Sequence, residues 1–332
     1  MTTTTSRTAA AAVRPPVTRV PLSTTPLPPL DPALPPWPGA VEEAGGAALH
    51  VRRTPGPDGT TAVYVHGLGG SSTNWTDLAA LLSPAAAGRA LDLPGFGFSE
   101  PDPGFRFGLD DHAEVVARYV AGLGTGPVHL LGNSMGGAVA LLVAASRPEL
   151  VKTLTLISPA MPDRRPDPRR LSDPLMALAY LPVVGAGVRR RMAALTARER
   201  AAQVIKLCFH DPTRFPDAKL DELTAEHSAR AGFAWAAHAM ERSTFGIFRR
   251  WSAFGGESLW SVATRVRVPS LVVWGIHDRV ISVRRAPRTA RLLPRARLLV
   301  LPRTGHVAQM ERPNVVAKAV LGLWEGADQG SW

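Results

Sequence analysis

Short apolar runs alternate with helical stretches through the first half of the chain. Residues 128–131 are strand-like, and residues 138–145, which follow closely, are apolar throughout and helix-like. Comparable short runs predict further strands at residues 47–53, 61–66, 89–93 and 152–157. Helices are predicted between them at residues 77–82 and 110–122. Short buried strands that alternate with helices indicate parallel strands in a layered α/β domain.

This alternation stops at Pro159 and resumes much later in the chain. Residues 161–264 are rich in Arg, Ala, Leu and aromatic residues at helical spacing, with no comparable series of strands. Strands are predicted again at residues 270–274 and 297–301, followed by an amphipathic helix at 314–324. We therefore predict an α/β core with a mostly parallel sheet, interrupted by an inserted helical cap. The predicted parts are the core at residues 41–160 and 265–326, the cap at 161–264, and a tail at 327–332 that frays from Glu325.

The first forty residues differ in composition from the rest. Ten prolines lie between Pro15 and Pro38, among many Thr and Ala residues and very few acids. Proline donates no main-chain hydrogen bond and interrupts both helices and sheets. Residues 1–40 are therefore predicted to be a disordered arm or an arm that wraps the core.

Composition sets further limits on the class of protein. The 332 residues, 45% hydrophobic and 20% charged, suit a globular chain with a large core. The single cysteine, Cys208, has no partner for an intramolecular disulfide. No apolar run reaches the roughly 18 residues of a membrane span, and the N-terminus lacks the apolar core of a signal peptide. A cytoplasmic protein is expected.

The chain is strongly basic, with a formal net charge of +11 and a pI near 10.9. Its arginines are spread along the sequence and no nucleic-acid-binding module is recognisable, so nucleic acid is not an expected partner. The densest region, residues 161–200, holds nine arginines against four acids. A solvated face and a binding patch would both produce this composition.

One serine between two glycines connects the strand at 128–131 to the helix that follows. Gly132, Ser134 and Gly136 have the G-x-S-x-G spacing of a nucleophile elbow, a strand-to-helix turn too tight for neighbouring Cβ atoms. A serine held in this strained turn presents its Oγ above the sheet. Ser134 is therefore the candidate nucleophile.

A serine hydroxyl needs a base and an acid that orients the base. Asp278 follows one late strand and His306 follows the next, which gives the chain order Ser, Asp, His. Asp163, after an earlier strand, is the reserve candidate for the acid. His277 is interpreted as lining the loop and not as the base.

A glycine-rich bend, His66 to Gly70, follows the strand at 61–66. Such a bend lets main-chain N–H groups face a cleft, as an anionic transition state requires. A phosphate site is disfavoured, because the Lys-Ser/Thr ending of a P-loop and a complete dinucleotide motif are both absent from the sequence. His66 itself is interpreted as structural.

Five segments together resemble the α/β-hydrolase superfamily. They are HGLGG (66–70), DLPGFGFS (92–99), GNSMGG (132–137), WGIHD (274–278) and GHVAQMERP (305–313). The resemblance implies a triad of Ser134, His306 and Asp278 that works without a cofactor or metal. It also implies an oxyanion hole made by the main-chain N–H groups of Leu68 and Met135.

Within the superfamily, HGLGGSSTNW and GNSMGG look most like family V bacterial lipolytic enzymes and monoacylglycerol-lipase-type esterases. This resemblance implies hydrolysis of carboxylic esters or acylglycerols. Serine at position 134 argues against dehalogenase-like and epoxide-hydrolase-like relatives, whose elbow carries Asp. GNSMGG and GHVAQ also occur in hydrolases that cleave carbon-carbon bonds of ring-fission products, although those usually have a proline-bearing glycine loop. A carbon-carbon hydrolase and a non-catalytic ligand-binding protein remain the alternatives.

Substrate selection is expected to reside in the cap. Trp235, Phe248 and Trp251 are candidates to line an acyl pocket, and packing of the cap on the core is the alternative use of these rings. Residues 175–188 are largely apolar and precede three arginines at 189–191, which is typical of an interfacial segment. The expected partners are a small-molecule ester and, transiently, a lipid or membrane surface.

Overall fold

The computed structural model describes residues 20–163 and 195–332. Within these ranges one sheet of eight strands runs in the order β1-β2-β4-β3-β5-β6-β7-β8. The pairs β1-β2 and β2-β4 are antiparallel and the remaining pairs are parallel. The strands are β1 Gly39–Ala44, β2 Ala47–Thr54, β3 Thr61–Val65, β4 Ala87–Leu91, β5 Val128–Asn133, β6 Val151–Ile157, β7 Ser270–Gly275 and β8 Ala296–Leu301. The predicted α/β fold with a mostly parallel sheet is confirmed.

Helices cover both faces of the sheet. The α-helices of the described residues are α1 Thr76–Leu82, α2 Leu109–Gly122, α3 Met135–Ser146, α4 Ala197–Cys208, α5 Asp217–Arg230, α6 Ala236–Trp251, α7 Leu259–Ala263, α8 Ala286–Leu292, α9 Ala308–Glu311 and α10 Pro313–Asp328. One apolar cluster joins the sheet to α2, α3 and α7, and a second joins its other face to α1 and α10. Because both faces are covered, β3 and β5 are buried at every position, which explains why most of their residues are apolar on both faces.

The hairpin of β1 and β2 was absent from the sequence prediction. Gly45 and Gly46 form its two-residue turn, with φ of 56° and 72°, and Ala44 pairs with Ala47 across it. Positive φ at both turn positions is the geometry that glycine favours and that matches the twist of a hairpin. The strand was missed because β1 is mostly exposed and Val41 is its one large apolar side chain.

The two ends of the described chain meet on α10. The Ser23 N–H donates to the Lys318 carbonyl oxygen at 2.9 Å, and the Ser23 hydroxyl donates to Glu325 at 2.5 Å. The helix continues to Asp328, and the indole N–H of Trp332 donates to the Ser270 carbonyl oxygen at 3.1 Å. The expectation of a tail that frays from Glu325 was therefore wrong, because its final aromatic residue is anchored to the sheet.

The insertion between β6 and β7 contributes α4 to α7, and no strand occurs between residues 195 and 264. Its contacts reach the carboxyl ends of the strands. Arg230 donates to the Gly69 carbonyl oxygen after β3, and Trp251 donates to the Ala160 carbonyl oxygen after β6. The segment at 175–191, interpreted as interfacial, lies outside the described residues. No described helix is both long enough and apolar enough to cross a bilayer.

Candidate active site

Ser134 occupies the sharp turn between β5 and α3. Its φ of 53° and ψ of −117° lie in a region that non-glycine residues rarely adopt. A Cβ at Gly136 would lie 2.2 Å from the Val65 carbonyl oxygen, and one at Gly132 would lie 2.3 Å from the Gly136 carbonyl oxygen. The two glycines are therefore required by close main-chain packing.

Hydrogen bonds to the neighbouring strand hold this strained residue in place. The Ser134 N–H donates to the Ile157 carbonyl oxygen at 3.0 Å. The Ser134 carbonyl oxygen accepts from the N–H groups of Ala138 and Ala160 at 3.1 and 2.8 Å. Backbone strain of this kind costs about 1–3 kcal/mol and persists only where the surroundings fix it. These three bonds, two of them to β6 and the residues just after it, supply that constraint.

His306 and Asp278 meet at the ends of β8 and β7. The distance from His306 Nδ1 to Asp278 Oδ2 is 2.9 Å, and the two side chains are 5% and 0% exposed. The other carboxylate oxygen of Asp278 accepts from the N–H groups of Val280 and Ile281 at 2.8 and 2.9 Å. Because the Nδ1–H group donates a hydrogen bond to the carboxylate, Nε2 of the neutral ring is left as the basic nitrogen.

Asp163, the reserve candidate for the acid, has other partners. Its carboxylate pairs with the Arg285 guanidinium at 2.6 Å and accepts from the Ser282 N–H at 3.2 Å. His277 is exposed, and its ring stacks on His210 with the centroids 4.1 Å apart. Of the two carboxylates, only Asp278 contacts His306.

Asn133 connects the serine turn to His306. Its side-chain amide donates to the His306 carbonyl oxygen at 3.1 Å and to the Ile157 carbonyl oxygen at 3.0 Å. The residue directly before Ser134 is thus bonded to the main chain of His306. Among the described residues the Ser134 hydroxyl itself makes no hydrogen bond. Such bonds are often long in unliganded sites and tighten when substrate binds.

His66 orients the glycine-rich bend. The Leu93 N–H donates to His66 Nε2 at 3.0 Å, so Nδ1 carries the proton and donates to the Gly67 carbonyl oxygen at 2.7 Å. Burial lowers the pKa of His66, which keeps the ring neutral. In a trans peptide the C=O and N–H point in opposite directions, so the Leu68 N–H faces away from His66. The structural role of His66 is therefore to fix the orientation of the peptide between Gly67 and Leu68.

Two main-chain N–H groups near Ser134 lack acceptors. Met135 is the first residue of α3, a position whose N–H has no partner within its own helix. Within the described ranges neither the Met135 N–H nor the Leu68 N–H donates a hydrogen bond. A Cβ at Gly67 would lie 3.0 Å from the Ser134 Cβ, so the bend passes directly against the serine.

Asp92, at the end of β4, organises the DLPGFGFS loop. Its carboxylate accepts from the N–H groups of Ser72 and Phe98 at 2.6 and 2.9 Å and contacts His50 Nδ1 at 2.7 Å. Burial acts to raise the pKa of Asp92, but these hydrogen bonds outweigh it and hold the pKa below its ordinary value. Sequence reasoning noted the loop and missed this carboxylate.

The three rings expected to line an acyl pocket lie in different environments. Trp251 is buried, and its indole N–H donates to the Ala160 carbonyl oxygen at 2.8 Å. Phe248 is 56% exposed and faces solvent. Trp235 stacks on Phe233 with the ring centroids 4.8 Å apart. Trp251 therefore packs the insertion onto the core, and Phe248 lies on the surface.

Other reactive groups offer little chemistry. Burial, the larger cause, and the negative charge of Asp278, the smaller, raise the pKa of the Cys208 thiol to about 12. The nucleophilic thiolate is therefore scarce. In the part of the chain that the structure describes, no group of three or more His, Cys, Asp or Glu side chains is arranged to hold a metal ion.

A family model described as alpha/beta hydrolase fold matches residues 62–313. The dihydrolipoyllysine-residue acetyltransferase component of the acetoin cleaving system of Cupriavidus necator is 30% identical over 254 residues, 76% of this chain and 60% of that protein. The chain thus spans less than two thirds of that relative.

Solved structures resemble the chain at the level of the fold. A membrane phospholipase A, described as a bacterial virulence factor, superposes on this chain with a TM-score of 0.70 at 24% identity. The superposition covers 90% of this chain and 88% of the phospholipase chain. The 2-hydroxy-6-oxo-6-phenylhexa-2,4-dienoate hydrolase of a Rhodococcus species gives 0.68 at 23% identity and covers 87% and 100%.

Proposed function

Since this chain belongs to the α/β-hydrolase family, we propose that it is a serine hydrolase that cleaves carboxylic esters. The observation that carries the proposal is the 2.9 Å contact of His306 with Asp278, tied through Asn133 to the strained Ser134. A family fold alone does not fix an activity, whereas a serine, an imidazole and a carboxylate are the groups that acyl transfer requires.

The proposed reaction passes through an acyl-enzyme. Ser134 Oγ attacks the ester carbonyl carbon while His306 Nε2 takes the hydroxyl proton. The tetrahedral intermediate collapses, the carbon-oxygen bond to the alcohol breaks, and His306 returns the proton to the departing alcohol. Water then attacks the acyl carbon while His306 takes its proton. The bond from the acyl carbon to Ser134 Oγ breaks, His306 returns the proton to Ser134 Oγ, and the acid is released. Asp278 keeps the proton on Nδ1 and stabilises the imidazolium that forms.

We propose that the N–H groups of Leu68 and Met135 bind the oxyanion of the tetrahedral intermediate. Both lack acceptors among the described residues, and Met135 begins a helix whose dipole favours negative charge. His66 supports this role because its hydrogen bond to the Gly67 carbonyl oxygen fixes the peptide that carries the Leu68 N–H. Preorganised donors of this type contribute most when charge develops in the transition state.

We propose that α4 to α7 act as a cap that selects the acyl chain and contacts anionic lipid surfaces. On α6, Phe245 and Phe248 are 62% and 56% exposed. Arg242 and Arg249 share the face of Phe245 at helical spacing, and neither pairs with a carboxylate in the described part of the chain. Exposed aromatic rings beside free arginines suit the headgroup region of an anionic bilayer.

A substrate panel tests the ester proposal. p-Nitrophenyl esters from C2 to C16 should be hydrolysed by the wild-type protein, and Ser134→Ala should lose nearly all turnover while keeping the wild-type circular dichroism and melting curve. A vinylogous dienone acid should be a poor substrate. If that compound is cleaved efficiently and the esters are not hydrolysed, the protein is a carbon-carbon hydrolase. Unchanged ester turnover in Ser134→Ala would refute Ser134 as the nucleophile.

Acyl transfer is the variant suggested by the named activity of the Cupriavidus necator relative. Transfer and hydrolysis share the acyl-enzyme and differ in whether an alcohol, a thiol or water attacks it. Adding an alcohol to the ester assay separates them. Hydrolysis predicts free acid as the main product at all alcohol concentrations tested.

A further inference from the structure

The loop that carries His306 is fastened to the end of α4 by a carboxylate on α9. Glu311 accepts from the Gly305 N–H at 2.6 Å, directly before His306. The same carboxylate accepts from the N–H of His210 at 3.0 Å and from that of Asp211 at 3.3 Å, just beyond α4. One side chain thus binds main-chain donors from the core and from the insertion.

A second contact joins the same two segments. The His306 N–H donates to the carbonyl oxygen of Cys208, the last residue of α4, at 2.6 Å. The approach is so close that a Cβ at Gly305 would lie 2.2 Å from that oxygen and 2.8 Å from the His210 nitrogen. Glycine at 305 is therefore required by the contact, since a Cβ there would collide with main-chain atoms.

These contacts leave little freedom to His306. Asn133 holds its carbonyl oxygen, Cys208 holds its N–H, and Asp278 holds its ring. Glu311 fixes the preceding peptide, and a main-chain N–H bonded to an ionised carboxylate forms a strong, short hydrogen bond. The His306 loop is thus held by hydrogen bonds both from the core and from the end of α4.

We propose that Glu311 is a positioning residue that couples docking of α4 to the alignment of His306 with Asp278. This inference rests on the proposed function for its catalytic consequence, whereas the coupling itself concerns the imidazole alone. Glu311 does not touch the reacting atoms. Small displacements of a catalytic group are costly, because an error of about 1 Å can reduce a rate roughly a hundredfold.

Glu311→Gln tests the coupling with the smallest change in shape. The neutral amide turns one of its two ends into a donor, which faces main-chain donors and cannot replace both acceptor oxygens. We expect kcat for the best ester to fall roughly tenfold or more, with KM within about twofold of wild type. Glu114→Gln, an exposed position on α2, is the matched control and should keep wild-type kcat and KM.

A spectroscopic measurement separates this proposal from the ester proposal. The proton between His306 Nδ1 and Asp278 should give a strongly deshielded proton NMR signal in wild type and in Glu114→Gln. In Glu311→Gln, still folded by its melting curve, the signal should broaden or disappear. An unchanged signal and unchanged kcat in Glu311→Gln would overturn the coupling even if ester hydrolysis is confirmed. Loss of the signal would support it even if no ester is a substrate.

Gly305→Ala provides a second, independent perturbation of the same contact. Its added Cβ pushes the His306 loop away from the end of α4, so the same signal should weaken. Combined with Glu311→Gln, the loss of kcat should be clearly smaller than the product of the two single losses, because both variants break one contact. Fully multiplicative losses would show two unrelated effects and contradict the coupling.

Discussion

Asp163 and Asp278 illustrate how neighbours decide the role of a residue. Both follow a parallel strand of the core, and sequence alone left both as candidates for the acid. In the folded protein Asp278 binds the His306 ring, whereas Asp163 pairs with Arg285. The sequence favoured Asp278 and kept Asp163 in reserve, but it could not show the contacts of either carboxylate, because those depend on which strand ends are adjacent in the sheet. Ser134 was recognisable because its glycine spacing is local.

Exchanging each carboxylate for an amide should separate catalysis from stability. Asp278→Asn should lower kcat by about 10² to 10⁴, since an amide does not stabilise the imidazolium or fix its tautomer. Asp163→Asn removes the buried carboxylate that pairs with the partly exposed Arg285 guanidinium, so it should cost about 2 kcal/mol of unfolding free energy with near-normal kcat at 25 °C. Ester kinetics and urea unfolding measure the two effects. The reverse pattern would make Asp163 the acid.

Elements buried on both faces were predictable, and those on the surface were less so. β3, β5 and β7 are buried along their whole length, so their apolar runs identify them. β1 was missed because it is mostly exposed and Val41 is its one large apolar side chain. The helices of the insertion were expected as a class, but how α6 packs against α2 depends on contacts between residues far apart in sequence.

His112 on α2 is one of these contacts and predicts a pH dependence. It is buried among phenylalanine rings and lies 3.3 Å from the Ser243 hydroxyl of α6. Burial, then the nearby His66, lowers the pKa of His112 to about 3 from an ordinary 6.5. Between about pH 3 and pH 6.5 the imidazole of residue 112 is protonated in the unfolded chain and neutral in the folded protein. The folded protein is therefore most stable, with respect to this group, above about pH 6.5, and it loses stability as the pH falls below that value.

The loss from His112 at pH 5 should be about 2 kcal/mol of unfolding free energy. His112→Phe cannot be protonated and should show a correspondingly smaller drop between pH 7.5 and pH 5 in urea unfolding. His277→Phe, at an exposed position, should retain the wild-type drop. If His112→Phe also retains the full drop, the contact between α2 and α6 does not titrate as described.

At the scale of the whole molecule, hydrogen bonds join segments that are distant in sequence. Ser23 bonds to α10, the final Trp332 anchors to β7, and Glu311 joins the insertion to the His306 loop. The resemblance of five short motifs identified the fold and the three candidate side chains. Asp92 and Glu311 lie within two of those motifs. Their contacts were still not predictable, because the sequence does not show which main-chain N–H groups a carboxylate will bind.

The net charge of +11 and the exposed face of α6 predict binding to anionic vesicles. Wild type should co-sediment with vesicles that contain a mixture of anionic and zwitterionic phospholipid. It should co-sediment much less with vesicles of zwitterionic phospholipid alone, and added salt should weaken binding to the mixed vesicles. Reversing Arg242 and Arg249 to Glu should reduce binding several-fold. The charge-matched reversal of Arg291 and Arg295, beside the amino end of β8, should reduce it much less. Equal losses from both pairs would indicate a diffuse charge effect and remove α6 as the contact.

Covalent labelling of Ser134 tests the central claim most directly. A fluorophosphonate reacts with a serine only when a neighbouring base activates it and an oxyanion site receives the phosphonyl oxygen. Peptide mass spectrometry of the treated wild-type protein should locate the adduct on Ser134, and His306→Ala should be labelled far more slowly while remaining folded. A wild-type protein that stays unlabelled, or that labels equally fast without the His306 imidazole, would contradict the account.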